Sequence, residues 1–337
     1  MSKNQATVVI DTNCSIVYSS FYIQGLYTLF GERNVKFGSI EGKPAQSGNL
    51  DFVVRRKGEK ERKYTISVAD SYKVNESIYD WCDVYGSVNA NYAKTPSEFH
   101  EKLVALCPSF GVRLWKLPYS IAFALRGCAG AKDPIKKRLG KALQMMRRLP
   151  YRDYCPSTVS DHFVFFLATL WYNDEWNGND KGVNARRANF IRACKDLEGV
   201  CFEGGLVSQG KERSSEELFA DCLSTGLPMN EWMDKTKRSV LVFNTPAFWD
   251  CHGWKLGEYL AMGKCIVSTE LSNDLPVPLE HGKNIHFVEN NQEAMKEAVA
   301  YIIDHPDYRE MLEEGARAYW EQYGSPVASL KRLGVAK

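Results

Sequence analysis

Residues 239–289 read SVLVFNTPAFWDCHGWKLGEYLAMGKCIVSTELSNDLPVPLEHGKNIHFVE. Residues 239–243 form a nearly continuous apolar run, the pattern of a parallel strand buried on both faces. The run ends at Asn244-Thr245-Pro246, passes through a polar loop, Asp250-Cys251-His252-Gly253, and enters a helix near Trp254. A second strand follows at 265–268 and a third at 284–288. This order predicts a doubly wound α/β sheet, whose ligands bind beyond the carboxyl ends of the strands. A loop that leads into a helix N-terminus at that edge attracts an anion, through free amides and the helix dipole.

Several side chains there suit such chemistry. Gly253 lets the backbone approach a phosphate, and fits a turn equally well. Lys255 opposes the dipole of the helix it opens, which an anionic diphosphate would explain. Glu258 offers two acceptor oxygens to a vicinal diol; the plain alternative is an exposed helix glutamate. Asp250 either faces the same cleft or caps the helix. His252 suits proton transfer near neutral pH, or is an ordinary hydrogen-bonded loop histidine.

The same rhythm extends outward. Residues 163–171 are a nearly unbroken apolar run, 184–197 a helix, and 200–202 a strand leading to Gly204-Gly205, which is a tight turn or a phosphate approach. No G-x-G-x-x-G occurs, which weakens a dehydrogenase reading. Residues 292–304 and 306–323 read as closing helices. Upstream, Val8-Val9-Ile10-Asp11 is a buried strand, and Ser19 and Ser20 are caps for a helix that closes near Gly31. Residues 51–54 and 64–68 flank a charged turn and read as a hairpin or adjacent strands. Asp70 ends an apolar strand and suits either a general base or a turn. Residues 133–149 form an amphipathic helix with Lys136, Lys137, Lys141, Arg147 and Arg148 on its polar surface. It is an ordinary solvated helix or one that lies on anionic lipid. Poor aromatic interleaving argues against nucleic acid.

The chain has 337 residues, 44% hydrophobic and 25% charged, a globular composition that excludes disorder and fibrous repeats and suggests two domains. The net charge of +2 hides an asymmetry: residues 1–150 carry 23 Lys and Arg against 13 Asp and Glu, and residues 151–337 carry 20 against 28. The basic half suits an anionic surface or acceptor. Ten cysteines show neither C-x-x-C nor zinc-finger spacing, so reduced thiols are expected. No apolar stretch approaches the ~20 residues of a membrane span, and residues 1–7 do not read as a secretory signal, so a cytoplasmic protein is expected. The break at 151–160, with Pro156, marks a domain boundary.

Asp250, seven residues, Glu258, then Ala261-Met262-Gly263-Lys264 and the strand Cys265-Ile266-Val267 together resemble the donor-binding signature of the group 1 glycosyltransferases. The downstream run from Leu279-Glu280-His281-Gly282 through Asp304 and Pro306 is similar too. The resemblance is strongest over residues 239–325. It implies a GT-B fold, two Rossmann-like domains facing a cleft: an acceptor domain over 1–155, a nucleotide-sugar domain over 156–318, and a terminal helix, 319–337, packing back on the first.

It also implies transfer of a sugar from a nucleotide-sugar donor, UDP- or GDP-linked, to a glycan acceptor; the basic half and the 133–149 helix add the expectation of a lipid-linked acceptor at the inner face of the plasma membrane, in cell-surface polysaccharide synthesis. Glu258 would hold the nucleotide ribose and Asp250 would lie near the donor sugar. That family usually carries Glu at both positions. Gly253, Lys255, Trp254, Arg187 and Gly205 complete the expected nucleotide-binding set, with Arg186, Lys211 and Arg213 as further candidates for the diphosphate. Asp250, His252 and Asp70 are the catalytic candidates, and Ser19, Ser20 and Gly25 lie on the acceptor side. The reading invokes neither metal nor cofactor beyond the nucleotide-sugar, since no Asp-x-Asp triplet occurs. An epimerase of the same fold and a non-catalytic nucleotide- or sugar-binding protein are the alternatives.

Overall fold

The computed structural model describes residues 6–45, 48–127, 132–172, 182–210 and 213–336. The chain divides into two compact units. Unit 1 comprises residues 1–153, 273–277 and 321–337; unit 2 comprises residues 154–272 and 278–320.

Unit 1 contains β1 (Thr7–Asp11), α1 (Ile16–Phe30), β2 (Val35–Gly38), β3 (Leu50–Arg55), β4 (Arg62–Ser67), α2 (Glu76–Trp81), β5 (Val84–Ser87), β6 (Leu103–Ala105), α3 (Leu117–Leu125) and α4 (Ile135–Met146). Its sheet has the order β2-β1-β3-β4-β5-β6. The charged turn at 55–60 makes β3 and β4 an antiparallel hairpin, and β3 also runs antiparallel to β1, so this sheet is mixed. At the end of β1, Lys43 bridges the buried Asp11 (2.7 Å) and Asp51 (2.9 Å), so the carboxylates entering this core are paired.

Unit 2 contains β7 (Phe163–Thr169), α5 (Val183–Lys195), β8 (Cys201–Val207), α6 (Arg213–Leu218), β9 (Leu223–Ser224), α7 (Met229–Arg238), β10 (Val242–Asn244), α8 (Trp254–Ala261), β11 (Ile266–Ser268), β12 (His286–Phe287), α9 (Gln292–Asp304) and α10 (Pro306–Tyr319). Every strand pairing within it is parallel, in the orders β7-β8-β9 and β10-β11-β12. The two triplets abut at β7 and β10. The Val240 N–H donates to the Phe163 carbonyl (2.8 Å) and the Phe165 N–H to the Ser239 hydroxyl (2.8 Å). Phe166 meets Phe243 further along, so the two strands advance in the same direction. The resulting order, β9-β8-β7-β10-β11-β12, is that of a doubly wound fold, with its crevice where β7 and β10 diverge. Phe190 stacks on Phe243 at 4.4 Å beneath that point and ties α5 to the sheet.

The last helix, α11 (Pro326–Arg332), belongs to unit 1 and packs on α1. Tyr64 donates to the Gly334 carbonyl (3.0 Å) and Arg332 to that of Ala105 (3.0 Å), fastening the terminus to the sheet.

Several local expectations are corrected. Helix α1 starts at Ile16, after Ser15, so Ser19 and Ser20 are not caps. Both are buried, and the Ser20 hydroxyl donates to the Val17 carbonyl while accepting the Val112 N–H. Gly25 is where α11 touches α1: an added Cβ would lie 2.7 Å from the Pro326 carbonyl oxygen. These three positions serve packing and present nothing to an acceptor. Gly204 and Gly205 are no turn either. They lie inside β8 at φ +116° and +145°, and a Cβ on Gly205 would lie 2.4 Å from the Cys222 carbonyl oxygen. The close approach they permit is between strands, not to a phosphate.

Gly205→Ala should therefore destabilise unit 2 by about 3 kcal/mol or more, combining a left-handed backbone with overlap against β9. Gly25→Ala should destabilise by about 1–3 kcal/mol by forcing α11 outward. Urea unfolding of the two variants measures both.

Candidate functional site

In a parallel sheet each helix begins where its preceding strand ends, so α5, α8 and α9 start at one edge of unit 2. Their starts differ. Helix α9 is capped by Asn291, whose side chain accepts the Ala294 N–H (2.8 Å). Helices α5 and α8 begin after Gly182 and Gly253, and neither cap makes a side-chain hydrogen bond. A glycine brings no capping side chain, so both helix starts direct the positive end of the helix dipole toward the crevice.

A hollow of about 440 Å³ opens at this edge, lined among others by Arg186, Asp250, Thr269, Glu270, Glu289 and Asn290. The ends of β10 and β11 at this edge are joined by polar bonds: Thr245 and Thr269 share a hydroxyl hydrogen bond (2.8 Å), and the Asn244 amide donates to the Ser268 hydroxyl (3.0 Å). Arg186 bridges to Asp250 (3.5 Å), linking the first turns of α5 to the loop after β10. Arg187 is buried and donates to the last carbonyl of β7, that of Thr169 (2.7 Å).

The backbone of that loop is unusual. Trp249 and Asp250 both occupy the left-handed region, at φ +53° and +57°. Each such residue costs about 1 kcal/mol or more. The loop is closed by the Ala247 N–H donating to the Cys251 carbonyl (2.7 Å), which leaves Trp249 64% exposed and Asp250 on the hollow.

The structure places the candidates unequally. Asp250 does not cap α8; Gly253 is its cap residue. Gly253 itself has an ordinary φ of −84°, and a Cβ there would meet only Ala247 at 3.6 Å, so no close backbone approach demands glycine at this position. Glu258 is 5% exposed, which removes the exposed-glutamate alternative. A buried carboxylate needs compensation, and Lys255 and Arg187 interact electrostatically in its neighbourhood. Lys255 holds its ammonium over Trp232 (4.9 Å) and within 5.9 Å of Phe166 and Tyr259, an aromatic enclosure whose burial pushes its pKa down to about 8. The ammonium thus turns onto rings in this state. Trp254 forms the first residue of α8, and His252 is buried just before it.

Asp70 stands in unit 1, at an exposed bend after β4, where desolvation by neighbouring atoms raises its carboxyl above the usual range. Gly205 is within β8 and outside the site. Arg213 pairs with Glu217 on exposed α6, and Lys211 lies outside the described residues. Sequence reasoning does not single out Thr269, Glu270, Glu289 or Asn290, yet each directly follows the last apolar residues of a strand, the position this fold reserves for ligand contact. Among the described residues, no group of three His, Cys, Asp or Glu side chains is arranged to hold a metal.

No family model matches the chain, and no curated protein matches it. Among solved structures, it is similar to a glycosyltransferase from Rickettsia africae ESF-5, with 14% identity over 79% of this chain and 67% of that one, at a TM-score of 0.42. It is similar to Anabaena Alr3699/HepE, solved with UDP and glucose, with 13% identity over 77% of this chain and 64% of that one, at 0.46. It is also similar to a point mutant of S. aureus TarM in complex with fondaparinux, α-GlcNAc-glycerol and UDP, with 11% identity over 77% and 46%, at 0.44. The chain thus spans from under half to two thirds of the length of these proteins. The likeness is one of fold.

Replacing Asp250 by Gly removes a left-handed strain of about 1 kcal/mol and a partly buried, long ion pair worth about 1 kcal/mol, so the two changes nearly cancel. Asp250→Gly should therefore leave the melting temperature within about 2 °C of the parent. A drop of many degrees would mean that this aspartate is held in place for stability.

Proposed function

We propose that the chain transfers a sugar from a nucleotide-sugar donor to a hydroxyl acceptor, and that the hollow of unit 2 holds the donor. The observation that carries this reading is the pair of glycine-capped helix starts, α5 and α8, meeting Arg186 and Arg187 at the point where the sheet reverses its order. Two helix termini and two guanidinium groups suit a diphosphate, which needs several donors and diffuse positive charge. Lys255 adds a third cation when its ammonium swings from the aromatic enclosure. Glu258, already buried beside these cations, accepts the ribose hydroxyls. Asp250 faces the donor sugar, its carboxylate held by the bridge to Arg186 where positive charge develops at the anomeric carbon. His252 takes or returns the proton of the acceptor hydroxyl. The resemblance of the segment 250–267 to group 1 glycosyltransferases supports a UDP- or GDP-linked donor. The excess of Lys and Arg in residues 1–150 suits a lipid-linked glycan acceptor in cell-surface polysaccharide synthesis.

Calorimetric titration with UDP, GDP, ADP and CMP tests the donor site. One of them should bind, and Glu258→Ala should weaken it about five- to 150-fold, the equivalent of roughly 1–3 kcal/mol of lost hydrogen bonding. If neither the nucleotides nor UDP-glucose and GDP-mannose bind, or if Glu258→Ala binds like the parent, the reading fails.

The pH dependence follows with a definite sign. Lys255 titrates near 8 and an anion favours its protonated form, so nucleotide affinity should fall as the pH rises from about 7 to 9. Lys255→Arg, charged throughout that range, should abolish the fall. Identical pH profiles for the two proteins would remove Lys255 from the site.

A further inference from the structure

Helix α3, Leu117–Leu125, reads LPYSIAFAL and contains no charged residue. A helix of that composition belongs in a core, yet only Ser120 and Ala124 are buried. Leu117, Ile121 and Leu125 recur every fourth residue and form one row along the helix, 43%, 36% and 52% exposed. Helix α4, packed against α3, repeats the device: its row at Ile135 and Leu143 is 51% and 52% exposed. Tyr119, more than half exposed, adds an amphipathic ring. Contiguous apolar exposure on this scale marks an interaction surface.

The charge around these rows is one-sided. Residues 116–149 carry nine Lys and Arg and a single acid, Asp133, which Lys137 and Lys141 already engage at 2.8 and 2.6 Å. Basic residues flank both ends of α3, at Lys116 and Arg126, and the exposed residues of α4 include Lys136 and Lys137 beside Ile135. A row of apolar side chains inside a broad cationic field is complementary to anionic headgroups above acyl chains. Among the described residues no helix is long and apolar enough to cross a membrane, so such a surface would lie in the interface plane.

We propose that the α3–α4 pair is a docking surface for an anionic lipid bilayer, with the apolar rows entering the acyl boundary and the cations at headgroup level. The proposal is independent of the donor-site reading, because it concerns unit 1 and needs no turnover.

Co-sedimentation of the whole chain with vesicles tests it. Vesicles with about 30% phosphatidylglycerol should bind at least about tenfold more tightly than pure phosphatidylcholine, and the difference should shrink on going from about 0.1 M to 0.5 M salt. The triple variant Leu117→Ser, Ile121→Ser, Leu125→Ser should lose about tenfold or more on the anionic vesicles. Circular dichroism checks its fold, and Leu125→Ser alone is the milder variant should the triple one unfold. Lys136→Glu with Arg147→Glu should abolish the preference for anionic lipid. Equal binding to both vesicle types, no binding, or serine variants that bind like the parent would each overturn the proposal. So would a concentration-dependent dimer that the serine variants dissolve, which would make this face the seat of a second copy.

Discussion

The abutment of β7 and β10 is the constraint on which the candidate site depends. Two hydrogen bonds join them near their starts, from Val240 to Phe163 and from Phe165 to the Ser239 hydroxyl, and the Phe166, Phe190 and Phe243 rings fill the core behind. The chain runs outward on one side through β8 and β9 and on the other through β11 and β12. The connections after β7 and β10 therefore part and leave an opening between them. Those two connections carry Arg186 and Arg187 on one side and Asp250 and Glu258 on the other, while the ends of β11 and β12 add Thr269, Glu270, Glu289 and Asn290. The glycines of β8 serve the same geometry, since a side chain at either would push β8 from β7 or from β9.

The electrostatics then follow from helix ends. A helix that satisfies its own first amides, as α9 does with Asn291, has little left to offer an anion. Glycine caps add no side chain of their own at the helix start, and α5 and α8 both have them. The left-handed pair at Trp249 and Asp250 is the counterpart in backbone strain. Nothing in the stability of unit 2 calls for an exposed tryptophan and an aspartate held that way, whereas the position gives Asp250 its bridge to Arg186 at the rim of the hollow.

Much of unit 2 was legible because parallel strands covered on both faces are written as unbroken apolar runs, as at β7 and β10, and because α9 and α10 have strong helical periodicity with Pro306 at their junction. What escaped has physical causes. Gly204-Gly205 reads as a turn because local sequence does not reveal that a neighbouring strand fills the space of the absent side chains. Ser19 and Ser20 read as caps because a serine bonded back to its own helix looks, in sequence, like one starting it. Helix α3 escaped because it has no charged face to set a period against. The Asp250–Glu258 spacing was visible, but burial of Glu258 and the turn of Lys255 onto aromatic rings depend on α7 and β7, remote in sequence.

The charge asymmetry looks at first opposed to the proposed site, since residues 151–337 carry an excess of eight acidic side chains while the ligand is an anion. The two act over different distances. At physiological ionic strength a surface charge is largely screened beyond about 8 Å, so the acids elsewhere on unit 2 contribute little at the hollow, and only Asp250, Glu270 and Glu289, which line it, have to be offset there. The starts of α5 and α8 and the Arg186 guanidinium act at this edge over short distances, where screening is weakest. The acidic exterior then disfavours polyanionic surfaces without weakening a small diphosphate in the hollow. The basic residues of unit 1 act in the opposite sense: on an extended anionic plane many of them lie within a screening length of the surface at once, and their modest contributions add.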